Sequence, residues 1–279
     1  MGESGYSLSL YEKAMPDDME LFGKFVHARH CGYDSVEICI DANKERQERL
    51  SWDKNRVYEL KKQLMQNDMQ VYTVSLSHLR SSPLGNPDEK ESVKSLEILR
   101  RGVEFTTAVG AGIMLINGYD VTDRPSTPLT VRTFERNLKK AAQIAALNGV
   151  IIAIENAEYP FIDSIAKAAY RAERAESPYI CVYADVGNSF NAAGGVTSLV
   201  LEDIEAGRGK IAAAHLKDSL PGEYRYVGYG DGHVDFATSI PKLTELGVRT
   251  FTAELFLKQG GDWESEAQYV NRYLRGFLP

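Results

Sequence analysis

At 279 residues, with 43% hydrophobic and 25% charged side chains, the chain has room for one large α/β barrel or two ordinary domains. A formal charge of −7 and a pI near 5.4, with acidic and basic residues interspersed, argue against nucleic acid as a partner, because phosphate backbones select basic surfaces. No apolar run approaches the roughly 20 residues of a membrane span, and Met1-Gly2-Glu3-Ser4-Gly5 lacks the basic-then-apolar pattern of a signal peptide, so a cytoplasmic protein with no membrane partner is expected.

In chain order, Tyr6 to Leu10 reads as a first strand, and Pro16-Asp17-Asp18 as the start of a helix that stops at Cys31-Gly32. Ser35 to Ile40 is a second strand carrying Glu37. A polar stretch to Trp52 leads into a helix from Lys54 to Asn67. The third strand, Gln70 to Leu76, runs into His78 and Arg80, and a Pro/Gly loop precedes a long helix ending at Val109-Gly110. The fourth strand, Ile113 to Ile116, ends in Asn117-Gly118-Tyr119-Asp120, and a helix from about Thr130 to Leu147 follows.

Val150 to Ile154 comes next: five apolar residues, four of them β-branched, running straight into Glu155 and Asn156. Such a run, without alternation, predicts a strand buried on both faces, as in a parallel sheet. A helix from Asp163 to Glu176 leads to a sixth strand, Ile180 to Ala184, ending in Asp185-Val186-Gly187-Asn188. After a short helix near Ser198 to Ala206, the seventh strand, Ile211 to Ala214, ends in His215-Leu216-Lys217-Asp218. The eighth, Thr250 to Ala253, ends in Glu254, and a helix from Trp263 to Phe277 closes the chain.

Repeated strand-then-helix units with short links predict one (β/α)8 TIM barrel over residues 1–279. A doubly wound sheet would carry a Gly-rich phosphate turn after strand one, and none is present. Cys31, Cys39 and Cys181 are scattered and odd in number, as expected of reduced structural thiols.

Barrels place chemistry where strands end, and four consecutive strands end in Glu155, Asp185, His215 and Glu254, spaced by 30, 30 and 39 residues. One such residue is ordinary, since a strand-end carboxylate often caps the next helix. Four in register predict a shared divalent ion, Zn²⁺, Mn²⁺ or Co²⁺, held by three oxygens and an imidazole. The site would stay net negative, so an anionic substrate needs cations elsewhere. Lys217, two residues past His215, is the nearest candidate; its plain reading is a salt bridge, for instance with Asp218.

At this point the chain resembles the xylose-isomerase-like sugar-phosphate isomerase/epimerase family, and most closely its L-xylulose 5-phosphate/L-ribulose 5-phosphate 3-epimerase branch, whose enzymes serve L-ascorbate degradation. The matching segments span most of the chain. They include Leu10-Tyr11-Glu12-Lys13-Ala14, Ser75 to Gly85, Gly118-Tyr119-Asp120-Val121, Glu155 with Tyr159-Pro160, Asp185 to Asn188, His215 to Asp218 and Gly230 to Phe236. The resemblance implies that Glu155, Asp185, His215 and Glu254 bind the metal, and that Glu155 and Glu254 double as the acid/base pair. Epimerases of free ketohexoses carry a His three residues past the metal-binding Asp, where this chain has Asn188. That departure favours a phosphorylated substrate.

The implied chemistry is inversion at C3 of a ketopentose phosphate, L-xylulose 5-phosphate to L-ribulose 5-phosphate. Two carboxylates move the proton through a metal-stabilised enediolate, because a free carboxylate is too weak a base for this carbon acid. Lys217, Lys13, His78, Arg80 and Asn188 are candidate substrate contacts. The glycine loop at Gly230 could turn backbone amides toward a phosphate. An aldose–ketose isomerase, or a 3-epimerase of another ketose or hexulose phosphate, has nearly the same requirements. An apurinic-site nuclease relative of this barrel would need more His and a basic surface, and a non-catalytic sugar-binding protein should lack one of the paired Glu. A homodimer is expected by analogy.

Overall fold

In a strand, successive side chains point to opposite sides, so closing a sheet into a barrel sends one set to the axis and the other to the surrounding helices. The computed structural model describes residues 5–256 and 260–279; residues 1–4, part of the stretch read above for a leader, lie outside the described residues. Strands β1 (Ser7–Tyr11), β2 (Ser35–Cys39), β3 (Thr73–Ser75), β4 (Ile113–Asn117), β5 (Ile151–Glu155), β6 (Ile180–Asp185), β7 (Ile211–Leu216) and β8 (Thr250–Ala253) pair in parallel in chain order, and β8 closes onto β1. Between and after them come α1 (Leu21–His30), α2 (Lys44–Glu48), α3 (Lys54–Gln66), α4 (Glu89–Val109), α5 (Pro128–Asn148), α6 (Ile165–Arg174), α7 (Val186–Ala192), α8 (Thr197–Ala206), α9 (Phe236–Glu245) and α10 (Trp263–Arg275). The (β/α)8 barrel expected from the sequence is the fold observed.

The alternation separates two cores. Residues such as Val36, Ile38, Ile152, Ile154 and Phe251 pack outward with the helices in the main hydrophobic cluster. Each contributes about 1.5–3 kcal/mol by leaving water. Leu115, Ala153, Tyr183 and Ala213 form a separate cluster on the opposite parity. Continuing along that parity to the strand ends gives Asn117, Glu155, Asp185 and His215, so the functional residues stand one layer above this plug.

Strand β7 reaches that register through an irregularity. Val182 pairs with Ile211, but Tyr183 pairs with Ala213, so Ala212 is an extra residue. A one-residue shift flips every later side chain to the other face. Here the shift brings His215 level with Asp185.

The helix starts follow local capping chemistry. Asp53, Asp88, Ser164, Asp235 and Asp262 each accept a backbone N–H from the first turn of the helix that follows. Thr127 and Thr130 form a reciprocal box ahead of α5, with Pro128 at its first position. Gly110 and Gly149 end α4 and α5 in the left-handed region, at φ of 87° and 67°.

The structure corrects several boundaries. The first helix begins at Leu21, not at Pro16, because Asp17 is held by the Arg46 guanidinium and residues 16–19 make a turn. β3 is only three residues long: residues 70–72 have no paired partners in β2 or β4, and Leu76 just beyond it keeps a backbone bond to β4, donating to the Leu115 carbonyl. Three helices have no counterpart in the sequence reading. α2 is five residues capped by Asn43, α7 begins directly on the strand-end Asp185, and α9 contains Pro241, which interrupts a helical pattern. Cys31 and Cys39 are buried and Cys181 partly so, all as free thiols.

Glu12 ties β1 to the neighbouring loops. Its buried carboxylate accepts from Arg49 at 2.5 and 2.7 Å, from Lys24 at 3.2 Å and from the Cys39 amide at 2.8 Å. Burial alone would raise its pKa; Arg49 and Lys24 outweigh it and hold the group at about 2. Removing one member of such a buried set strands the others, so Glu12→Gln should cost about 3–5 kcal/mol in urea unfolding at pH 7. With the folded pKa near 2 and the ordinary value at 4.5, this stabilisation is complete above pH 4.5 and fades as pH falls through 2. The gap between parent and variant should therefore narrow when the titration is repeated at pH 3.

Candidate active site and metal centre

Glu155 ends β5, Asp185 ends β6, His215 lies near the end of β7, and Glu254 follows β8. All four are buried, and one donor atom from each lies within 4.8 Å of the others. His215 Nδ1 stands 2.7 Å from Glu155 Oε1, 3.8 Å from Glu254 Oε2 and 4.0 Å from Asp185 Oδ2. The opposite ring nitrogen donates to Glu37 Oε1 at 2.7 Å. Glu37 is itself fixed from below by the hydroxyls of Tyr183 and Thr73, each at 2.7 Å. A carboxylate behind a histidine in this way fixes the ring and leaves Nδ1 facing the cluster. Glu37 therefore orients His215 from inside the barrel.

The other donors are held with equal economy. Asp185 divides its oxygens: Oδ1 caps α7 by accepting from the Asn188 amide at 2.9 Å, while Oδ2 faces the cluster. One side chain thus both caps the next helix and faces the cluster. Asn156 latches β5 to β6 by donating to the Asp185 carbonyl at 2.9 Å and accepting from its amide at 2.8 Å. Asn117, which β4 presents on the inward parity, donates to Glu155 Oε2 at 2.5 Å.

Electrostatics shows what the cluster can hold. Burial pushes Asp185 up to about 7, with Lys217 opposing and Glu254 and Glu155 adding to the rise. Burial would likewise raise Glu254, yet Lys217 and His215 bring it down to about 2. Burial disfavours a charged His215, but Glu37, Glu254 and Glu155 outweigh it and raise its pKa well above the ordinary value. Four buried carboxylates thus crowd one imidazole and one ammonium. A hard or borderline divalent cation suits this surplus of negative charge and this set of three oxygens and one nitrogen. The residues present fit one metal ion, with Glu155, Asp185, His215 and Glu254 as its holders.

The cluster opens into a pocket of about 440 Å³ at the C-terminal rim. Lys13, His78, Arg80, Asn188 and Lys217 all line it. Their partners differ. Lys217 Nζ bridges Asp185 Oδ2 and Glu254 Oε2, at 2.7 Å each, and so pairs with the metal cluster rather than with Asp218. Lys13 is paired with Asp41 at 2.8 Å. His78 accepts from Gln47 at 2.8 Å, and burial lowers its pKa. Asn188 donates to the Asn156 carbonyl at 2.7 Å, while its own side-chain oxygen has no hydrogen-bond partner among the described residues.

Gly230 lies elsewhere. Its amide and that of Gly232 donate to Asp218 Oδ2 at 2.9 and 3.1 Å, so both are already taken by a carboxylate of the chain itself. A Cβ on Gly232 would come within 2.0 Å of Asp218 Oδ1, which explains glycine there without a ligand. The glycine loop is a brace for Asp218.

The sequence reading gave no role to several pocket residues, among them Asn117, Glu158, Arg225 and Phe256. Asn117 could have been found, because it shares the inward parity and level of Glu155 across the β4–β5 pair. The other three sit in loops with no periodicity to read.

The profile of the family described as "Xylose isomerase-like TIM barrel" matches residues 25–275. The L-ribulose-5-phosphate 3-epimerase UlaE of Escherichia coli O157:H7 (strain EC4115 / EHEC) is 32% identical over 240 residues, covering 86% of this chain and 83% of that protein. The UlaE of Shigella flexneri matches to the same extent. Among solved structures, an L-ribulose 3-epimerase superposes with a TM-score of 0.80 at 17% identity, covering 98% of this chain and 94% of the other. D-psicose 3-epimerase from Clostridium cellulolyticum H10, solved with D-tagatose, superposes with a TM-score of 0.79 at 13% identity, covering 98% and 99%.

If Glu37 sets the His215 ring as described, Glu37→Gln should weaken Mn²⁺ or Zn²⁺ binding by about 10–100-fold. Competition against a chromophoric chelator measures this, and an unchanged circular dichroism spectrum shows that the barrel survives.

Proposed function

The chain belongs to the xylose isomerase-like TIM barrel family and is an enzyme of the isomerase class; within that family we propose that it is a metal-dependent 3-epimerase converting L-xylulose 5-phosphate to L-ribulose 5-phosphate. The observation that carries the proposal is the buried Glu155–Asp185–His215–Glu254 cluster at the floor of the rim pocket. The activity named for its relatives supports the substrate.

Inverting C3 of a 2-ketose means removing a proton beside a carbonyl and returning one to the other face. When bound, a divalent ion supplies Lewis-acid polarisation of the ketose oxygens, which makes the C3 proton removable by a carboxylate. The chain supplies the rest. Glu155 and Glu254 serve as the pair that takes and returns the proton. Asn117 on Glu155 and Lys217 on Glu254 fix the direction in which each carboxylate points, at 2.5 and 2.7 Å. Lys217, together with His215, also holds the Glu254 pKa low in a site where burial alone would raise it. Asn188 lines the pocket and its buried side-chain oxygen has no hydrogen-bond partner among the described residues, which supports a role in accepting from a sugar hydroxyl.

Incubating metal-loaded protein with L-xylulose 5-phosphate in D₂O should give L-ribulose 5-phosphate with deuterium at C3, and chelation should abolish both. Deuterium at C1 or C2 with an aldose product would instead make the enzyme an aldose–ketose isomerase. Glu155→Gln and Glu254→Gln should each lower kcat by about 10²–10⁴-fold.

A further inference from the structure

A buried cluster of carboxylates can balance its charge with a cation of the chain or with a bound ion. This site supplies groups for both. Lys217 Nζ lies 2.7 Å from Asp185 Oδ2 and 2.7 Å from Glu254 Oε2, and the residue is only 6% exposed. The same two oxygens face His215 Nδ1, at 4.0 and 3.8 Å. The ammonium and a metal ion held by Glu155, Asp185, His215 and Glu254 therefore compete for the same atoms.

The two carboxylates are not equally able to serve both. Asp185 Oδ1 is committed to the first turn of α7, where it accepts from the Asn188 amide at 2.9 Å. Turning the carboxyl over would uncap that helix, so Oδ2 is the one oxygen this side chain has for the ion. Glu254 carries a second oxygen that none of these contacts involves, so it can serve the ion and the lysine at once. On Asp185 the two cations would share one buried oxygen, the metal at about 2.0–2.2 Å. Little water screens them there, and their repulsion is strong. The lysine is also able to yield. Its flexible four-carbon stem runs beside the pocket it lines, and a Cβ on Gly187 would crowd its Cε at 3.3 Å, so glycine leaves the stem room.

We infer that Lys217 is an exchangeable counter-ion of the metal centre: it neutralises Asp185 and Glu254 until a divalent ion takes Asp185 Oδ2, then keeps Glu254 and turns its freed N–H toward the pocket. The inference rests on the metal-dependent reading above and deepens it. Metal loading is then the event that makes the Lys217 donor available to the sugar, which sets an order of metal first and substrate second. A lysine suits this exchange. Its ammonium is a compact charge with three rotatable donors and can release one carboxylate while holding the other, whereas a rigid guanidinium fork would grip both.

The test compares the parent with Lys217→Met and Lys217→Arg, and neither of its readouts needs turnover. The first is Mn²⁺ affinity, measured by competition against a chromophoric chelator. The second is a crystal structure of the Mn²⁺-loaded parent, which gives the position of Nζ. Lys217→Met removes the competing cation and should bind Mn²⁺ roughly 10–100-fold more tightly than the parent. Its Tm under chelation should fall below that of the parent, and saturating Mn²⁺ should restore it. Lys217→Arg should return the Mn²⁺ affinity to the parent value or below. In the loaded crystal Nζ should stand more than about 3.5 Å from Asp185 Oδ2 while remaining on Glu254. Unchanged or weaker Mn²⁺ binding by Lys217→Met would show that the lysine supports the ligands, and would overturn the exchange. A loaded parent whose Nζ still bridges both carboxylates would overturn it as well, even if the Met variant does not fold. A parent that binds none of Mn²⁺, Zn²⁺ or Co²⁺ would overturn the metal reading along with the exchange, whereas a loaded parent with its lysine unmoved leaves the metal reading standing.

Discussion

The cost of burying charge governs this molecule. A carboxylate taken from water demands a cation or several hydrogen bonds, and the barrel gathers Glu37, Glu155, Asp185 and Glu254 within reach of one another, with His215 and Lys217 as the nearest positive groups. The surrounding contacts then have a common purpose. Tyr183 and Thr73 donate to Glu37, Asn117 donates to Glu155, and the Asn188 amide occupies the second oxygen of Asp185. What these donors leave over is a negative charge surplus of the kind a divalent ion satisfies. Stability and function meet in the same few side chains.

The same constraint appears at Glu12 with the opposite resolution. There one buried carboxylate is surrounded by Arg49, Lys24 and Arg46, and its charge is held firmly. The Leu10 to Ala14 segment is thus explained without reference to substrate: Glu12 binds the turn after β1 to the loops that carry Arg46 and Arg49. Lys13, beside it, points into the pocket and meets Asp41. One short motif serves packing with one residue and the pocket wall with the next.

From floor to rim the pocket changes character. The floor is acidic and buried, Tyr11 and Phe256 meet edge to face at 5.5 Å along the wall, and the mouth carries arginines. An elongated ketose with one anionic end matches such a gradient. The glycine loop after β7 contributes to it at one remove, because its amides brace Asp218 next to Lys217.

By itself the sequence determined the strand ends. The unbroken apolar run into Glu155, and its repetition before Asp185 and His215, follows from a parallel strand buried on both faces, so position along the chain is enough to read it; the strand before Glu254, Thr250-Phe251-Thr252-Ala253, is read from its place after β7. The helix starts at Asp53 and the stop at Gly110 were legible because caps are local chemistry. Only the tertiary structure decided the rest. The extra residue in β7 aligns His215 with Asp185, and whether a bulge forms depends on the partner strand. The assignment of Lys217 to Asp185 and Glu254 depends on packing across β6, β7 and β8, where its sequence neighbour Asp218 had been the simpler partner. Arg225 and Glu158 are 67 residues apart in loops without periodicity, and nothing but barrel closure brings them together. Strand register is written in residue types, whereas the pairing of charges across loops is settled by distance in space.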